Sequence, residues 1–175
     1  MTISVFVGTS VDGFIARPNG EFDFLPADGG EPHGFTEFYA SVDAVVIGRK
    51  TFETALAFPT WFYGRKRVVV LSSQPVVHPK VEHMSGPPAE IVAKLAATGA
   101  HHLYVDGGFT IQEFVRAGLV DRFIITRVPV LIGEGISLFG PVPHDIQLRH
   151  VSTQSFKSGL VQSEYHVIRP GAASA

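Results

Sequence analysis

Three short segments carry residue types suited to holding an anion. Leu103-Tyr104-Val105-Asp106-Gly107-Gly108-Phe109-Thr110-Ile111-Gln112-Glu113 reads as a buried strand that breaks on two glycines and restarts as a helix. Bare glycines let another group approach the backbone, and a helix start presents unpaired N–H groups at the positive end of its dipole. That combination favours a phosphate or diphosphate. Gly48-Arg49-Lys50-Thr51 opens another helix with two cations and a hydroxyl, and Leu71-Ser72-Ser73-Gln74-Pro75 supplies two hydroxyl donors after an apolar run. Each also has a plain structural reading. Arg49 and Lys50 can be surface residues, although cations at a helix N-terminus are mildly unfavourable, and Ser72 and Ser73 can be turn residues.

The elements around these segments decide whether they share a ligand. Thr2 to Gly8 is apolar and β-branched and reads as a first strand. Thr9 to about Gly34 is rich in Gly, Pro, Asp and Asn, an unusually long connection of the kind that is usually functional. Phe35, Phe38 and Tyr39 fall at helical spacing. Val42–Ile47 predicts a strand, Arg49 to about Ala57 a helix, Arg67–Leu71 a strand and Val81–Met84 a short strand. Pro87-Pro88 opens a helix that stops at Gly99. His102–Val105 is the strand before the double glycine, and Thr110 with Glu113 forms a capping-box pattern in the helix that Gly118 ends. From Asp121 the pattern is β only: Arg122–Val130, then Gln147–Phe156 and Leu160–Arg169 as a hairpin about Lys157-Ser158-Gly159. The sum is an α/β fold with about eight strands and four helices, mostly parallel, with a C-terminal antiparallel hairpin. Residues 1–169 form one domain and 170–175 a frayed tail.

In such sheets ligands sit beyond the carboxyl ends of the parallel strands. All three segments lie at such ends, hence on one edge. The glycine-backed helix start suits a diphosphate, and the Arg/Lys start beside two serines suits a second, isolated phosphate. A ligand carrying both is NADPH, whose 2′-phosphate NADH lacks.

Composition bounds the alternatives. The chain has 175 residues, is 45% hydrophobic and 17% charged, and is therefore globular rather than disordered. A net charge of −2 gives no footprint for nucleic acid or an anionic membrane. The absence of cysteine excludes disulfides and thiolate chemistry and fits a cytoplasmic location. The N-terminus lacks the basic start of a signal peptide, and no apolar run of about 18 residues could span a membrane. The eight histidines show no metal-binding spacing and read as surface residues, so no metal is expected.

Taken in order, Gly48-Arg49-Lys50-Thr51, Leu71-Ser72-Ser73-Gln74-Pro75 and the Gly107-Gly108 turn resemble dihydrofolate reductase, as does Ser10-Val11-Asp12-Gly13-Phe14-Ile15-Ala16. The chain is more similar still to the reductase domain of the bifunctional riboflavin-biosynthesis enzyme, the RibD C-terminal domain. Asp106-Gly107-Gly108, Gly118-Leu119-Val120-Asp121 and Pro129-Val130-Leu131-Ile132-Gly133-Glu134-Gly135 carry that likeness, which extends over about residues 2–169. The resemblance implies a three-layer dihydrofolate reductase-like fold and an NADPH-dependent reductase of a small heteroaromatic, imine or carbonyl substrate. It implies that Arg49, Lys50, Ser72 and Ser73, beside Leu71, hold the 2′-phosphate and adenine ribose. Thr51 at the Gly48 helix start would sit near the diphosphate, which Gly107, Gly108, Phe109 and Thr110 would contact. Ile15 and Ala16 would cover the nicotinamide. Relatives of this kind often dimerise, and the hairpin leaves edge surface, so a homodimer is an open expectation. There is no room for the deaminase half of the riboflavin enzyme. Asp106 stands where that enzyme has glutamate, and Glu37 is the one acid offered by the helix that anchors the pteridine in dihydrofolate reductase.

Hydride transfer needs proximity and an acid that protonates or polarises the accepting bond. Asp12 and Asp106 are the catalytic candidates. Asp12 also fits a turn-forming Asp-Gly pair, Asp106 also fits backbone capping, and a water could deliver the proton in place of either. Phe22, Phe24, Leu25, Phe35, Phe58, Trp61, Phe62 and Tyr63 are placed to build a flat apolar pocket or to pack as core. A non-catalytic nucleotide-binding or oligomeric scaffold on the same fold is the alternative reading.

Overall fold

A computed structural model of the protein describes residues 1–27 and 30–169. The elements in chain order are β1 (Thr2–Ser10), β2 (Phe14–Ala16), α1 (Phe35–Ser41), β3 (Ala44–Gly48), α2 (Arg49–Leu56), β4 (Arg67–Leu71), β5 (Glu82–Met84), α3 (Pro88–Ala97), β6 (His102–Asp106), α4 (Gly108–Arg116), β7 (Arg122–Val128), β8 (Ile136–Ser137), β9 (Leu148–Ser155) and β10 (Val161–Val167). Eight strands form one sheet in the order β5-β4-β3-β6-β1-β7-β10-β9, and β2 pairs with β8 in a small second ladder.

The central strands are apolar on both faces because both are covered, as parallel sheets require. On one face Val5, Val46, Leu103 and Val105 pack under α3 and α4 through Ile91, Leu95, Ile111 and Phe114. On the other, Phe6, Val45, Ile47 and Tyr104 pack under α1 and α2 through Phe38, Phe52 and Ala55. α2 and α4 thus lie on opposite faces. They follow the adjacent strands β3 and β6, which pair in parallel with Ile47 opposite Asp106. The chain moves away from that junction in both directions, making it the crevice where open α/β sheets bind ligands.

Several sequence expectations change. The C-terminal hairpin extends the sheet edge as expected, but in reversed order: β10 pairs with β7 and β9 is outermost, so β10 runs opposite to the other strands of the main sheet. All eight β9 residues are exposed, as suits the outermost strand of the sheet. β2 and β8 escaped the periodicity reading because ladders of three and two residues carry no repeat. The Thr110–Glu113 capping box does not form: α4 begins at Gly108 after a Gly107 cap with no side-chain bond, and Glu113 pairs instead with Arg116. The histidines are not all surface groups. His102 is half-buried and its Nε2 lies 2.8 Å from the Ser4 hydroxyl, because it faces the α1 side of the sheet. The proposed tail, 170–175, lies outside the described residues.

Candidate active site

β3 and β6 end in the same way, and the two ends interlock. Gly48 caps α2 and Gly107 caps α4, neither helix having a side-chain cap. A Cβ on Gly107 would collide with the Thr51 Oγ1 of α2, and one on Gly48 would stand 2.9 Å from the Thr110 Oγ1 of α4. Each glycine therefore makes room for the threonine three residues into the other helix. Gly107 also has φ 89°, a conformation that only glycine adopts without strain. The junction brings two uncapped helix N-termini side by side, with no acid in either first turn. Two positive dipole ends and their uncapped amides are an arrangement that favours an anion.

The bare face of Gly108 is filled from within the protein. A Cβ there would lie 2.6 Å from Ile136 and 3.1 Å from Ile15, so the β2–β8 ladder packs against the start of α4. This seats Ile15 and the buried Ala16 next to the helix start, at the end of the junction nearer β1. Lys50 lies 6.0 Å from the centroid of the Phe109 ring, which is 64% exposed beside the junction.

At the far side, β4 ends beside β3 with Gly48 opposite Leu71. The Arg49 guanidinium donates to the Ser72 hydroxyl at 3.0 Å and to the carbonyls of Gln74 and Pro75 at 2.9 and 2.8 Å. It is thereby fixed over the serine turn with its Nη1 directed to Glu53 at 3.7 Å, an exposed contact. Exposed Ser73 follows on the same turn. From Ser72 to Ile15 the candidate groups cross the ends of β4, β3, β6 and β1, three strand spacings or about 14–15 Å. Arg49, Lys50, the hydroxyls and two helix starts fit an extended nucleotide with one terminal and one central phosphate site.

The two aspartates sit in different settings. Asp12 is exposed, and its carboxylate accepts from the backbone N–H groups of Gly133 at 2.8 Å and Ile132 at 3.3 Å. The Ser10 hydroxyl and these amides hold its pKa below the ordinary carboxylate value. It ties the β1–β2 turn to the 131–135 loop. Asp106 points to the α1–α2 side, among Tyr104, Tyr63 and Phe6, and is only partly exposed. Burial pushes its carboxyl pKa up, partly offset by the Gly107 N–H at 2.7 Å and by Tyr104. The neighbouring phenols stay neutral: burial, with the charge of Asp106 behind it, raises Tyr104 and Tyr63 far above the usual range. Asp106 is thus the group at this edge that burial favours in its protonated form.

The aromatic residues divide. Phe35 joins the core around Phe6, Phe38, Tyr39 and Tyr104, and Trp61 packs with Phe52, Tyr63 and His78. Phe22 and Phe58 stack at 6.1 Å, joining the long 17–34 segment to the α2–β4 loop, and Phe62 is exposed. Leu25 rests directly on Gly8 of β1, where a Cβ would be 2.8 Å from its Cδ2. Extending the β1–β6 register puts Phe6 across from Asp106 and Gly8 one side-chain step beyond. Gly8 and Leu25 were missed as a pair, although a glycine inside an apolar strand signals close approach by another group. Glu37 lines a separate groove with Phe6, Arg122, Ile124 and Glu164, about 330 Å³ in volume.

Comparison with known proteins identifies the family and the fold. The RibD C-terminal domain family profile matches residues 1–162. The uncharacterized protein YwjB of Bacillus subtilis is 30% identical over 172 residues, covering 94% of this chain and 96% of YwjB. A crystal structure from Shewanella sp. PV-4, of a protein named for riboflavin biosynthesis, superposes with TM-score 0.89 at 36% identity, covering 97% of this chain and 100% of that one. Dihydrofolate reductase from Enterococcus faecalis, solved with NADP(H), shares the fold at TM-score 0.68 and 20% identity, covering 95% of this chain and 96% of its own. Among the described residues no helix is long and apolar enough to cross a membrane, and no cluster of three metal-ligating side chains occurs.

Proposed function

The chain belongs to the RibD C-terminal domain family, and on that premise we propose that it is an NADPH-dependent reductase of a small heteroaromatic, imine or carbonyl compound. The observation that carries the reading is the interlocked junction of Gly48 and Gly107. It aims two uncapped helix starts at one point, one strand away from an Arg49 already oriented over Ser72. Arg49, Ser72 and Ser73 receive the 2′-phosphate. The amides of 49–51 and 108–110 receive the diphosphate, with the Thr51 and Thr110 side chains fixing the spacing between them. Phe109 and Lys50 line the outer side, and Ile15 and Ala16 bound the nicotinamide end.

When bound, the dihydronicotinamide supplies a hydride to the electrophilic carbon of the substrate. Asp106 holds a proton for the nitrogen or oxygen of the same double bond, at a site where burial favours the neutral acid. The Leu25 and Phe22–Phe58 side excludes water from that approach. Asp12, held ionised by backbone donors, acts as a brace that keeps the loops around the nicotinamide end in place. The chain works in the cytoplasm, where the reduced cofactor is available. Loss of dihydronicotinamide absorbance should require both NADPH and a heteroaromatic or imine substrate. Tight NADPH binding with no turnover across a broad panel of such compounds would instead make the protein a nucleotide-binding scaffold.

A further inference from the structure

β1 and β6 stay paired only as far as Ser4 opposite Tyr104, whereas β1 stays with β7 to Ser10 opposite Val128. The ladder between β1 and β6 has therefore ended where Asp106 stands. Tyr104 lies two residues before Asp106, on the same face of β6. Its ring is buried, and its hydroxyl donates to the Phe6 carbonyl of β1 at 2.9 Å. The same hydroxyl is the side-chain partner of Asp106. Asp106 Oδ1 already accepts the Gly107 N–H at 2.7 Å, a bond that serves the acid and the carboxylate alike. The other titratable groups on this side are turned elsewhere or stay neutral. Tyr39 of α1 donates to the Tyr63 carbonyl at 2.8 Å, Lys66 to the Val42 carbonyl at 2.6 Å, and Arg49 of α2 to Ser72. Tyr63, in the loop before β4, feels the charge of Asp106 and remains a neutral phenol.

A phenol has one hydrogen and gives it to one acceptor at a time. While Asp106 is protonated, the Phe6 carbonyl takes that hydrogen, and the Tyr104 oxygen is left to accept from the acid. Loss of the Asp106 proton reverses the preference, because a bond to a carboxylate is roughly twice as strong as one to a neutral carbonyl. A turn of the hydroxyl about its C–O bond then moves the hydrogen from Phe6 to Asp106. No heavy atom has to move.

We infer that Tyr104 is a positioning residue for the acid: its hydroxyl turns from the Phe6 carbonyl to Asp106 as the carboxyl gives up its proton, and so meets the carboxylate left behind in a buried setting. The use of that proton on a substrate nitrogen or oxygen rests on the reductase reading above. The shared hydroxyl does not. Burial keeps the proton on Asp106, and Tyr104 keeps it from being held too firmly to be given.

Carbon-13 NMR of the aspartate carboxyl groups in the full chain tests this, with the Asp106 signal identified by its absence from Asp106→Asn. Tyr104→Phe leaves the Phe6 carbonyl without this partner in both protonation states, so the change in the Asp106 titration isolates the lost bond to the carboxylate. Asp106 should titrate about one pH unit higher in Tyr104→Phe than in wild type. Tyr104→4-aminophenylalanine keeps a donor on Phe6 and adds a second hydrogen for Asp106, so there Asp106 should titrate at the wild-type value or below it. In wild type the Tyr104 ring carbon that bears the hydroxyl should change shift at the pH where Asp106 ionises. With an accepted substrate, Tyr104→Phe should lower turnover and move its alkaline decline to higher pH, with NADPH affinity unchanged. An Asp106 titration that is unmoved or lowered in Tyr104→Phe, or raised by the aminophenylalanine, would overturn the inference. Should Tyr104→Phe fail to fold, the wild-type and aminophenylalanine titrations decide it alone. These titrations need neither cofactor nor substrate, so a wild-type protein that fails to bind NADPH would overturn the reductase reading and leave their result standing.

Discussion

The two sides of the crevice are built by different means. On the β3–β6 side, glycines and threonines three residues apart lock two helix starts together, and the contacts involve only the ends of adjacent strands. On the β1–β7 side, carboxylates of loops reach the backbone of distant turns: Asp12 holds Ile132 and Gly133, and Glu31 holds Lys157 and Ser158. The first arrangement is rigid because Gly48, Thr51 and Thr110 belong to strands or helices and Gly107 directly joins β6 to α4. The second depends on exposed charged contacts, whose individual contributions are small. A cofactor common to many reductases suits the rigid side, and a substrate that differs between them suits the side held by loops.

The sharpest way to separate the sides is at the residue between them. Asp106→Asn should lower turnover by roughly 10²–10⁴-fold, the usual contribution of a positioned acid, with NADPH affinity unchanged in a binding titration. The same substitution should leave the fold intact. Burial raises the folded-state pKa of Asp106, so the ionised carboxylate costs stability as pH rises from the ordinary carboxylate range through that raised value. Thermal melts of Asp106→Asn should then match wild type in acid and lie above it at neutral pH.

Gly107→Ala should damage the rigid side as a whole. A side chain there meets both a positive φ and Thr51, and the strain alone costs about 1–3 kcal/mol. Thermal denaturation should show the loss together with weaker binding of NADPH and NADH alike. Pairing it with Thr51→Ala, which removes the collision but not the φ strain, should recover part of the stability.

On the loop side, Asp12→Asn should lower the melting temperature only slightly at neutral pH, with cofactor affinity retained. The folded pKa of Asp12 is depressed, so its contribution is present above the ordinary carboxylate pKa and disappears as pH falls through the lowered value. The difference between variant and wild type should therefore vanish in acid.

How far each side could be read from sequence follows the same division. Gly48-Arg49-Lys50-Thr51 and Asp106-Gly107-Gly108 are contiguous, so their strand–glycine–helix character was visible in the order of residues. That both lie on one edge of the sheet followed from the α/β alternation, but that β3 and β6 are neighbours did not, since the order of strands in the sheet is not written in their order along the chain. The reciprocal fit of Thr51 with Gly107 was not visible, because nothing local ties residue 51 to residue 107. Asp12 and Glu31 are separated from their partners by more than a hundred residues, and an exposed acid in a loop looks the same whether or not it holds a distant turn. Gly108 shows the opposite failure. Its bareness suggested a ligand, and the groups it admits are Ile15 and Ile136 of the chain itself.

The proposed reading of a 2′-phosphate by Arg49 and its serine turn, at one end of a shared dinucleotide site, can be measured without knowing the substrate. Titration of the wild-type protein with NADPH and NADH should show NADPH bound at least about tenfold more tightly, as expected for charge-assisted bonds to one phosphate. Arg49→Ala should erase most of that preference while NADH affinity changes little. Equal affinity for the two cofactors in wild type, or an equal loss of both in Arg49→Ala, would contradict it.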